Sequence, residues 1–414
     1  MDFQDSSVRA SAYTYPTVRI LFTSIGYKPA WKLGGPVPVL VAIAEELARR
    51  GHEVWVAATD SNLTERLEVD TSRWHEMEGV RVRYFPIVDP PYRRIPHPAF
   101  RRSNIEYAVP EFRRWLEDAE AGFDVVHSHL GFLYANRHAA AYCRKTGTPY
   151  VYQAHGVFDP VRLRHRPFRK WLALTLWEKR ACATASTLVA LTEYEAQSYR
   201  RLGLRNPIEV IPNGVDLPPA VEKGDGPLTC LFLSRLHPLK GVDVLVEAAG
   251  IVAREDPTIR FLVAGPDEAG IEGDLRKRAA ECGANVQFLG TVAGEKKERL
   301  LQDSHLFLLA TESEGFSIAI LEALAHGCGV LTTPGAHFRE LEPAGAGRIL
   351  AKDPRAFADT ILALAADRDR VRAMGRAARN LVEQRYSWDR VVDLYEDLYS
   401  RLVSPVEPNR EVRR

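Results

Sequence analysis

The segment ESEGFSIAILEALAHGCGV, residues 312–330, has the pattern of a loop followed by a short helix and the start of a strand. Apolar residues spaced i, i+3 and i+7 predict the buried face of that helix, namely Ile318, Leu321 and Ala325. Glu322 falls at i+4 of the same face, where an apolar residue is expected, and it follows Glu314 by eight residues. Two carboxylates in these positions indicate a ligand site.

The alternation of short β-rich segments and helical patterns extends over nearly the whole chain. In the first half, β-rich apolar segments begin at Val18, Glu53, Asp124, Pro149, Thr187 and Pro207. In the second half, they begin at Leu228, Thr258, Asn285, His305 and Gly329. Alternation of strands and helices predicts parallel sheets with right-handed crossovers. Helices are expected from about Pro36 to Arg50 and from Ser387 onwards.

A Pro- and Gly-rich segment, PNGVDLPPAVEKGDGP at 212–227, predicts an interdomain linker between the two halves. We therefore expect an α/β protein with two doubly wound, Rossmann-like domains facing a deep cleft. In such sheets ligands bind beyond the carboxyl ends of the strands. The expected parts are a flexible tail (1–16), a first domain (17–217), a second domain (218–386) and a C-terminal helix with a tail (387–414).

Composition limits the classes of partner. The formal net charge of +1 gives no reason to expect a nucleic-acid partner. The five cysteines are scattered without a C-x-x-C pair, which argues against a disulfide framework and fits a reducing cytosol. No apolar run reaches the roughly 18 residues that span a bilayer, and the polar N-terminus does not resemble a secretory signal. A cytoplasmic protein is expected.

One basic segment could attach to an anionic membrane surface. Residues 161–180 carry seven Lys and Arg residues against Glu178 alone, mixed with apolar side chains that include Phe168 and Trp171. Basic aromatic helices can lie on anionic membranes, and a solvated helix with one core face is the alternative. A second Arg-rich stretch, PIVDPPYRRIPHPAFRR at 86–102, has no pattern that we can assign.

The segment LSRLHPLKG, residues 233–241, ends a strand and opens a helix. Arg235 and Lys240, beside free helix N–H groups, predict a phosphate site, and two cations in a surface loop are the alternative. Gly34 and Gly35 precede the first long helix and would let a phosphate or sugar approach the backbone closely, unless they form an ordinary strand–helix turn. Neither a G-x-G-x-x-G nor a Walker loop is present, which weakens the NAD and P-loop hypotheses.

Three histidines at strand ends could bind zinc or act as hydrogen-bonding groups. His127 and His129 share a strand face by period two, and His155 could complete a three-His zinc site. No H-E-x-x-H motif is present and no carboxylate ligand is evident, so hydrogen bonding is favoured and no metal is expected. The D-x-D sequence at 367–369 lies in an Arg-rich helical stretch and predicts a solvated face.

The two glutamates fit one extended ligand. Eight residues of helix span about 12 Å, too far for the catalytic carboxyls of a glycoside hydrolase, which lie roughly 5–9.5 Å apart. We instead place Glu314 in the loop and Glu322 two turns into the helix. The backbone N–H groups at the helix start then come from Gly315, Phe316 and Ser317. A ligand with hydroxyls at two sites and negative charge between them is a sugar nucleotide.

Together these segments resemble the family 4 glycosyltransferases, which have the GT-B fold. ESEGFSIAILE resembles the family's E-x7-E motif, LSRLHPLKG its phosphate-binding segment and VIPNGVD its interdomain linker. DVVHSH, AHGVF and LGG resemble its N-domain loops in the right order. The resemblance covers about residues 18–400 and is strongest over 210–333. It implies a retaining transferase that moves a hexose from a nucleotide-diphosphate sugar to a hydroxyl of a glycan, polysaccharide or lipid-linked sugar, with no metal or other cofactor.

The resemblance also implies roles for the second domain, which would bind the sugar nucleotide. Arg235 and Lys240 would bind the diphosphate and stabilise charge on the leaving group. Glu322 would bind the ribose hydroxyls. Glu314 and the backbone of residues 315–317 would hold hydroxyls of the donor sugar.

The first domain would then lie on the acceptor side. His155 would lie near the reacting sugar carbon, and Gly34 and Gly35 would line the cleft. The C-terminal helix from Ser387 would cross back to the first domain. Two other functions stay open: a glycan phosphorylase, which would usually need pyridoxal phosphate and a longer chain, and a non-catalytic protein that binds sugar nucleotides.

Overall fold

A computed structural model describes residues 16–63, 65–88, 109–118, 122–164 and 166–404. Almost all of the expected tail at 1–16, most of the Arg-rich stretch at 86–102 and the last ten residues lie outside the described residues.

The first domain is built on an eight-stranded sheet with the order β10-β9-β8-β7-β1-β2-β6-β5. The strands of this half are β1 (Arg19–Thr23), β2 (Glu53–Thr59), β3 (Ser61–Asn62), β4 (Glu65–Arg66), β5 (His75–Met77), β6 (Val80–Phe85), β7 (Val125–His129), β8 (Tyr150–Gln153), β9 (Thr187–Ala190) and β10 (Ile208–Val210). All neighbours in the large sheet pair in parallel except β5, which is antiparallel to β6. The short β3 and β4 form a separate antiparallel pair.

The second domain is built on a six-stranded parallel sheet with the order β13-β12-β11-β14-β15-β16. Its strands are β11 (Thr229–Leu233), β12 (Arg260–Ala264), β13 (Val286–Gly290), β14 (Leu306–Leu309), β15 (Gly329–Thr332) and β16 (Gly347–Ile349). The segment 211–228 joins the two sheets, and its isolated bridge pairs Val215 with Ser387. The two parallel sheets expected from the alternating pattern are confirmed.

Helices cover both faces of the sheets. In the first domain they are α1 (Pro36–Arg49), α2 (Pro110–Asp118), α3 (Tyr134–Thr146), α4 (Pro160–Leu163), α5 (Pro167–Ala173), α6 (Lys179–Thr184) and α7 (Glu193–Arg201), with a π-helical turn at Leu174–Glu178. In the second they are α8 (Val242–Glu255), α9 (Glu272–Glu281), α10 (Gly294–Asp303), α11 (Ile318–Ala325), α12 (Pro354–Ala365) and α13 (Arg368–Arg385), followed by the final helix α14 (Trp388–Val403). Within the described ranges, no helix combines the length and the apolar character needed to cross a bilayer.

The final helix returns to the first domain, as expected. Ser387 caps it, and its apolar side chains join the core of the first sheet, namely Val391, Val392, Tyr395, Leu398 and Tyr399. The Tyr395 hydroxyl donates to Gln153 Oε1 at 3.1 Å, and a hydrogen bond of 2.7 Å joins the Tyr399 hydroxyl to Nδ1 of His127. The chain therefore passes between the domains twice, once in each direction.

Candidate active site

The loop that contains Glu312 and Glu314, called here the glutamate loop, is followed by helix α11. This helix has a different buried face from the one expected. Its buried side chains are Ile320, Leu321, Ala323, Leu324 and Ala325. Ile318 and Glu322 lie together on a half-buried face instead. The prediction that Ile318 belongs to the buried stripe is therefore wrong. Glu322 lies beside the core stripe and leaves it uninterrupted.

Sheet topology brings the glutamate loop beside the Arg235–Lys240 segment. Strands β11 and β14 pair in parallel, so the loops after them leave the same sheet edge. The carbonyl of Leu239 accepts hydrogen bonds from Thr311 Oγ1 at 3.0 Å and from the Glu312 amide at 2.9 Å. Gly241 has φ +65°, and a Cβ on it would meet the Ala310 carbonyl oxygen at 2.0 Å. Glycine at position 241 is therefore required for the turn at Pro238–Lys240 to lie against the end of β14.

Lys240 and Glu314 form an ion pair at this junction. Nζ of Lys240 donates to Oε1 of Glu314, and the side chains are only 12% and 7% exposed. Burial lowers the pKa of Lys240, and the nearby cations Arg235 and Arg162 lower it further, whereas Glu314 opposes the shift. Lys240, which was predicted to bind the diphosphate, is thus in direct contact with Glu314, which was predicted to bind the donor sugar.

Arg235 lies at the rim of the cleft. Its side chain is 57% exposed, and its Nη1 donates to Glu268 Oε2 at 2.6 Å. Arg235 and Lys240 both line a cavity of about 700 Å³ between the two domains. An anion entering this cavity meets Arg235 and Lys240, each of which has one carboxylate partner.

Glu322 lies in an ion pair of its own. Nζ of Lys297, on α10, donates to Oε1 of Glu322 at 2.8 Å, and the glutamate side chain is 23% exposed. Two side chains of the loop before α11 hold it against the second domain. Ser317 caps α11 by accepting from the Ile320 amide at 3.4 Å, and Phe316 stacks on Phe338 in the core.

His155 and Gly156 bring the first domain into contact with the loop that contains Glu314 and Gly315. Both have positive φ angles, +57° for His155 and +73° for Gly156. A Cβ on Gly156 would lie 2.7 Å from the Cα of Gly315. The structure thus brings His155, Gly315 and, through its neighbour, Glu314 to one point where the two domains touch.

The three histidines form a row of hydrogen-bonding and ring contacts. A hydrogen bond of 2.9 Å joins His129 Nδ1 to His155 Nε2, and His127 packs against His129 with ring centroids 4.2 Å apart. Burial lowers the pKa of His155 to about 3 and those of His127 and His129 well below their ordinary values. All three are therefore neutral at neutral pH. In the part of the chain that the structure describes, no cluster of three or more His, Cys, Asp or Glu could hold a metal ion.

Two buried carboxylates behind the cleft were not foreseen from the sequence. Glu195 accepts hydrogen bonds from the Gly156 amide at 2.5 Å and the Leu191 amide at 2.7 Å. Glu178 accepts from the Phe132 amide at 2.7 Å and from the Tyr152 hydroxyl. Burial raises the pKa of each glutamate to about 7. Both hold backbone at the cleft, yet an isolated Glu in a sequence usually indicates an exposed side chain.

Gly34 and Gly35 lie apart from these contacts. They are exposed immediately before α1, and a Cβ on either would meet no atom within 4 Å. Gly34 has φ +83°, which glycine adopts without strain. The glycines leave open space beside the backbone, as expected of either a ligand approach or a simple turn.

The basic segment supplies the opposite wall of the cleft cavity. Arg162, Arg164 and Lys170 line it together with apolar residues that include Phe132 and Val157. Further along, four large apolar side chains are exposed: Phe168 at 70%, Trp171 at 58%, Leu172 at 38% and Leu176 at 60%.

Comparison with known proteins assigns both halves of the chain. Residues 33–218 match the model described as Glycosyltransferase Family 4, and residues 227–367 match that of Glycosyl transferases group 1. A D-inositol 3-phosphate glycosyltransferase of Nocardia farcinica is 29% identical over 83% of this chain and 80% of its own length. A GDP-mannose:cellobiosyl-diphosphopolyprenol alpha-mannosyltransferase of Xanthomonas oryzae pv. oryzae is 30% identical over 68% of this chain and 75% of its own length.

Solved structures show the same architecture. HepE of Anabaena in complex with UDP has a TM-score of 0.71 at 20% identity, over 92% of this chain and 100% of that one. WaaG, a glycosyltransferase involved in lipopolysaccharide biosynthesis, has a TM-score of 0.66 at 18% identity, over 92% and 99%. The expected GT-B fold is confirmed. On the family match and the relative at 30% identity, this chain is an enzyme that belongs to glycosyltransferase family 4.

Proposed function

We propose that this glycosyltransferase is a retaining, metal-independent hexosyltransferase. It takes the hexose from a nucleotide-diphosphate sugar and transfers it to a hydroxyl of a glycan, polysaccharide or lipid-linked sugar. The observation that carries the proposal is the Lys240–Glu314 pair at the carboxyl ends of β11 and β14, beside a cavity that Arg235 also lines. The relative named as a GDP-mannose:cellobiosyl-diphosphopolyprenol alpha-mannosyltransferase supports a nucleotide-diphosphate sugar as donor and a lipid-linked sugar as acceptor.

The charges in the cleft suit a diphosphate leaving group. The bond from the sugar carbon to the diphosphate oxygen breaks, and the acceptor oxygen forms the new bond on the same face. The acceptor proton passes to the departing diphosphate. Lys240 and Arg235 stabilise the negative charge that develops on that group, which positioned cations do strongly in a water-poor site. Neutral His155 and the Gly315 amide offer hydrogen-bonding groups near the sugar without adding a competing cation.

The test is a thermal-shift screen of UDP, GDP and ADP and their hexose forms in the presence of EDTA. A ligand at 100 times its Kd stabilises the folded state by about 2.7 kcal/mol. We expect one base series to raise the Tm with EDTA present, and transfer to follow when an acceptor is added. A Tm shift that requires added Mg²⁺ would overturn the metal-independent mechanism, and no shift with any of these nucleotides would overturn the donor assignment.

We also propose peripheral contact with the cytoplasmic face of an anionic membrane. Exposed Phe168, Trp171 and Leu176 lie on a segment rich in Arg and Lys, the composition that adsorbs to anionic bilayers. We expect co-sedimentation with phosphatidylserine vesicles that weakens as salt rises. The double substitution Phe168→Ser, Trp171→Ser should abolish it. Trp31→Ser, at a tryptophan 51% exposed elsewhere, is the matched control and should leave it unchanged.

A further inference from the structure

Three cations on the first-domain wall of the cleft have no part in donor binding as described above. Arg162 and Arg164 lie in and after α4, and Lys170 lies in α5. All three line the cavity that also contains Arg235 and Lys240. The donor diphosphate is assigned to the second domain, so this wall faces the space left for the acceptor.

Among the residues that the structure describes, these cations form no ion pair with a carboxylate. Among the ion pairs of the described residues, none includes Arg162, Arg164 or Lys170, whereas Arg235 and Lys240 each have one. Nζ of Lys170 donates to the carbonyl oxygen of Arg162, at 2.5 Å. Burial lowers the pKa of Lys170, and the charges of Arg162 and Arg166 lower it further. Burial raises the pKa of Glu195, and Arg162 lowers it without forming an ion pair with that glutamate, so these like charges would still be stabilised by a bound anion.

The apolar residues around these cations indicate what the bound anion is attached to. Apolar side chains line the same cavity beside the cations, among them Leu133, Val157 and Val161. The exposed apolar surface of Phe168, Trp171 and Leu176 continues along the same segment. An anionic group attached to an apolar chain would have contacts for both parts. A free anion would use the cations alone.

We propose that Arg162, Arg164 and Lys170 bind a phosphate group of the acceptor, so that the acceptor is a phosphorylated molecule rather than a neutral glycan. Arg guanidinium groups favour phosphate because they donate paired hydrogen bonds to its oxygens. The assignment rests on the proposed function, since an acceptor is defined by transfer. The phosphate can come from a lipid-linked sugar or from a soluble sugar phosphate, and the experiment separates the two.

The test uses calorimetry on the full chain saturated with the nucleoside diphosphate found by thermal shift. The titrants are hexyl phosphate, methyl phosphate and hexanol. The variant is Arg162→Gln, Arg164→Gln, and neither side chain has a hydrogen-bonding partner among the described residues, so folding should be retained. Arg166→Gln is the matched control, because Arg166 lies on the same segment outside the cavity lining. Lys170 is not substituted, because its side chain donates a hydrogen bond to the carbonyl of Arg162 in α4.

We expect hexyl phosphate to bind the wild type and Arg166→Gln equally, and the double variant at least tenfold more weakly. Nucleotide affinity should change less than twofold. Hexyl phosphate binding more tightly than methyl phosphate would indicate a lipid-linked acceptor, and equal binding a soluble one. Loss of nucleotide affinity in the double variant would assign the arginines to the donor and overturn the proposal. Equal binding of hexanol and hexyl phosphate would overturn it as well.

Failure of the proposed function gives a different result. If no sugar nucleotide binds, the same titration is made on the free chain. Loss of hexyl phosphate binding in the double variant would then retain the phosphate site while the transferase assignment fails.

Discussion

Gly156 of the first domain lies directly against Gly315 of the second, and a Cβ on Gly156 would approach the Gly315 Cα to 2.7 Å. The contact joins the residue after His155 to the residue after Glu314. Glu195 supports this contact, because its carboxylate accepts a hydrogen bond from the Gly156 amide. The two domains therefore meet backbone to backbone at the point where the proposed function places the donor sugar.

Replacing Gly156 by Ala should slow transfer without weakening donor binding. The new methyl group would push the domains apart, and misplacement of reacting groups by about 1 Å can cost on the order of 10²-fold in rate. We expect kcat to fall at least tenfold and nucleotide Kd to change less than twofold. Gly147→Ala is the control, since Gly147 has φ +77° but open space around its Cβ. An equal loss in both variants would assign the effect to backbone strain instead.

Replacing Lys240 by Gln should lower transfer by about 10²- to 10³-fold, the usual cost of losing one stabilising group for a developing anion. The substitution also leaves the nearly buried Glu314 without its cation, so stability must be measured separately. Lys240→Gln, Glu314→Gln removes both charges and should recover Tm while transfer stays low. Recovery of transfer together with Tm would show that Lys240 acts only on stability.

Glu178→Gln should stabilise the protein at pH 8 and have little effect near pH 4. The folded-state pKa of Glu178 is raised to about 7 by burial, above the ordinary value of about 4.3. Between these values the folded state binds more protons than the unfolded state, so the free energy of unfolding falls as pH rises to about 7. Gln removes this dependence while its side-chain oxygen still accepts from Phe132. Urea unfolding at both pH values measures it, with exposed Glu193→Gln as control. A flat difference across pH would contradict the burial argument.

Arg50→Ala should destabilise the protein by about 1–3 kcal/mol, because it leaves the buried carboxylate of Glu396 short of a donor. Arg50 Nη1 reaches Asp393 Oδ1 at 2.7 Å and also contacts Glu396, which is 5% exposed. Both partners lie on α14, so the backbone amides of that helix should exchange their hydrogens faster in the variant. Arg49→Ala provides the comparison, since Arg49 is 69% exposed. Equal effects from the two arginines would rule out a special role for the buried network.

The layout of the fold could be predicted from the sequence because apolar strands and helical spacing are local patterns. The strands missed are β3, β4, β5, β6 and β16. Strand β6, VRVRYF, alternates Arg with apolar residues, so its period of two is that of a strand while its charges resemble those of an exposed polar segment. Strand β16 has only three residues, too few for a pattern.

The site was only partly predictable, for physical reasons. The residue types of the pair were identified, but 74 residues separate Lys240 from Glu314, and only the pairing of β11 with β14 makes them neighbours. The orientation of α11 was misjudged because apolar residues at nearly every position leave the helix without a unique stripe. Glu178 and Glu195 give no local signal, since burial of a carboxylate depends on neighbours supplied by other elements.

The return of the last helix also has a consequence for synthesis of the chain. The core of the first domain includes Val391, Tyr395 and Leu398, which leave the ribosome after the entire second domain. Until then, the apolar surface that α14 covers stays open to water. We expect the first domain to complete its folding last although its sequence emerges first, and a chain that stops near Val210 to need a chaperone to remain dissolved.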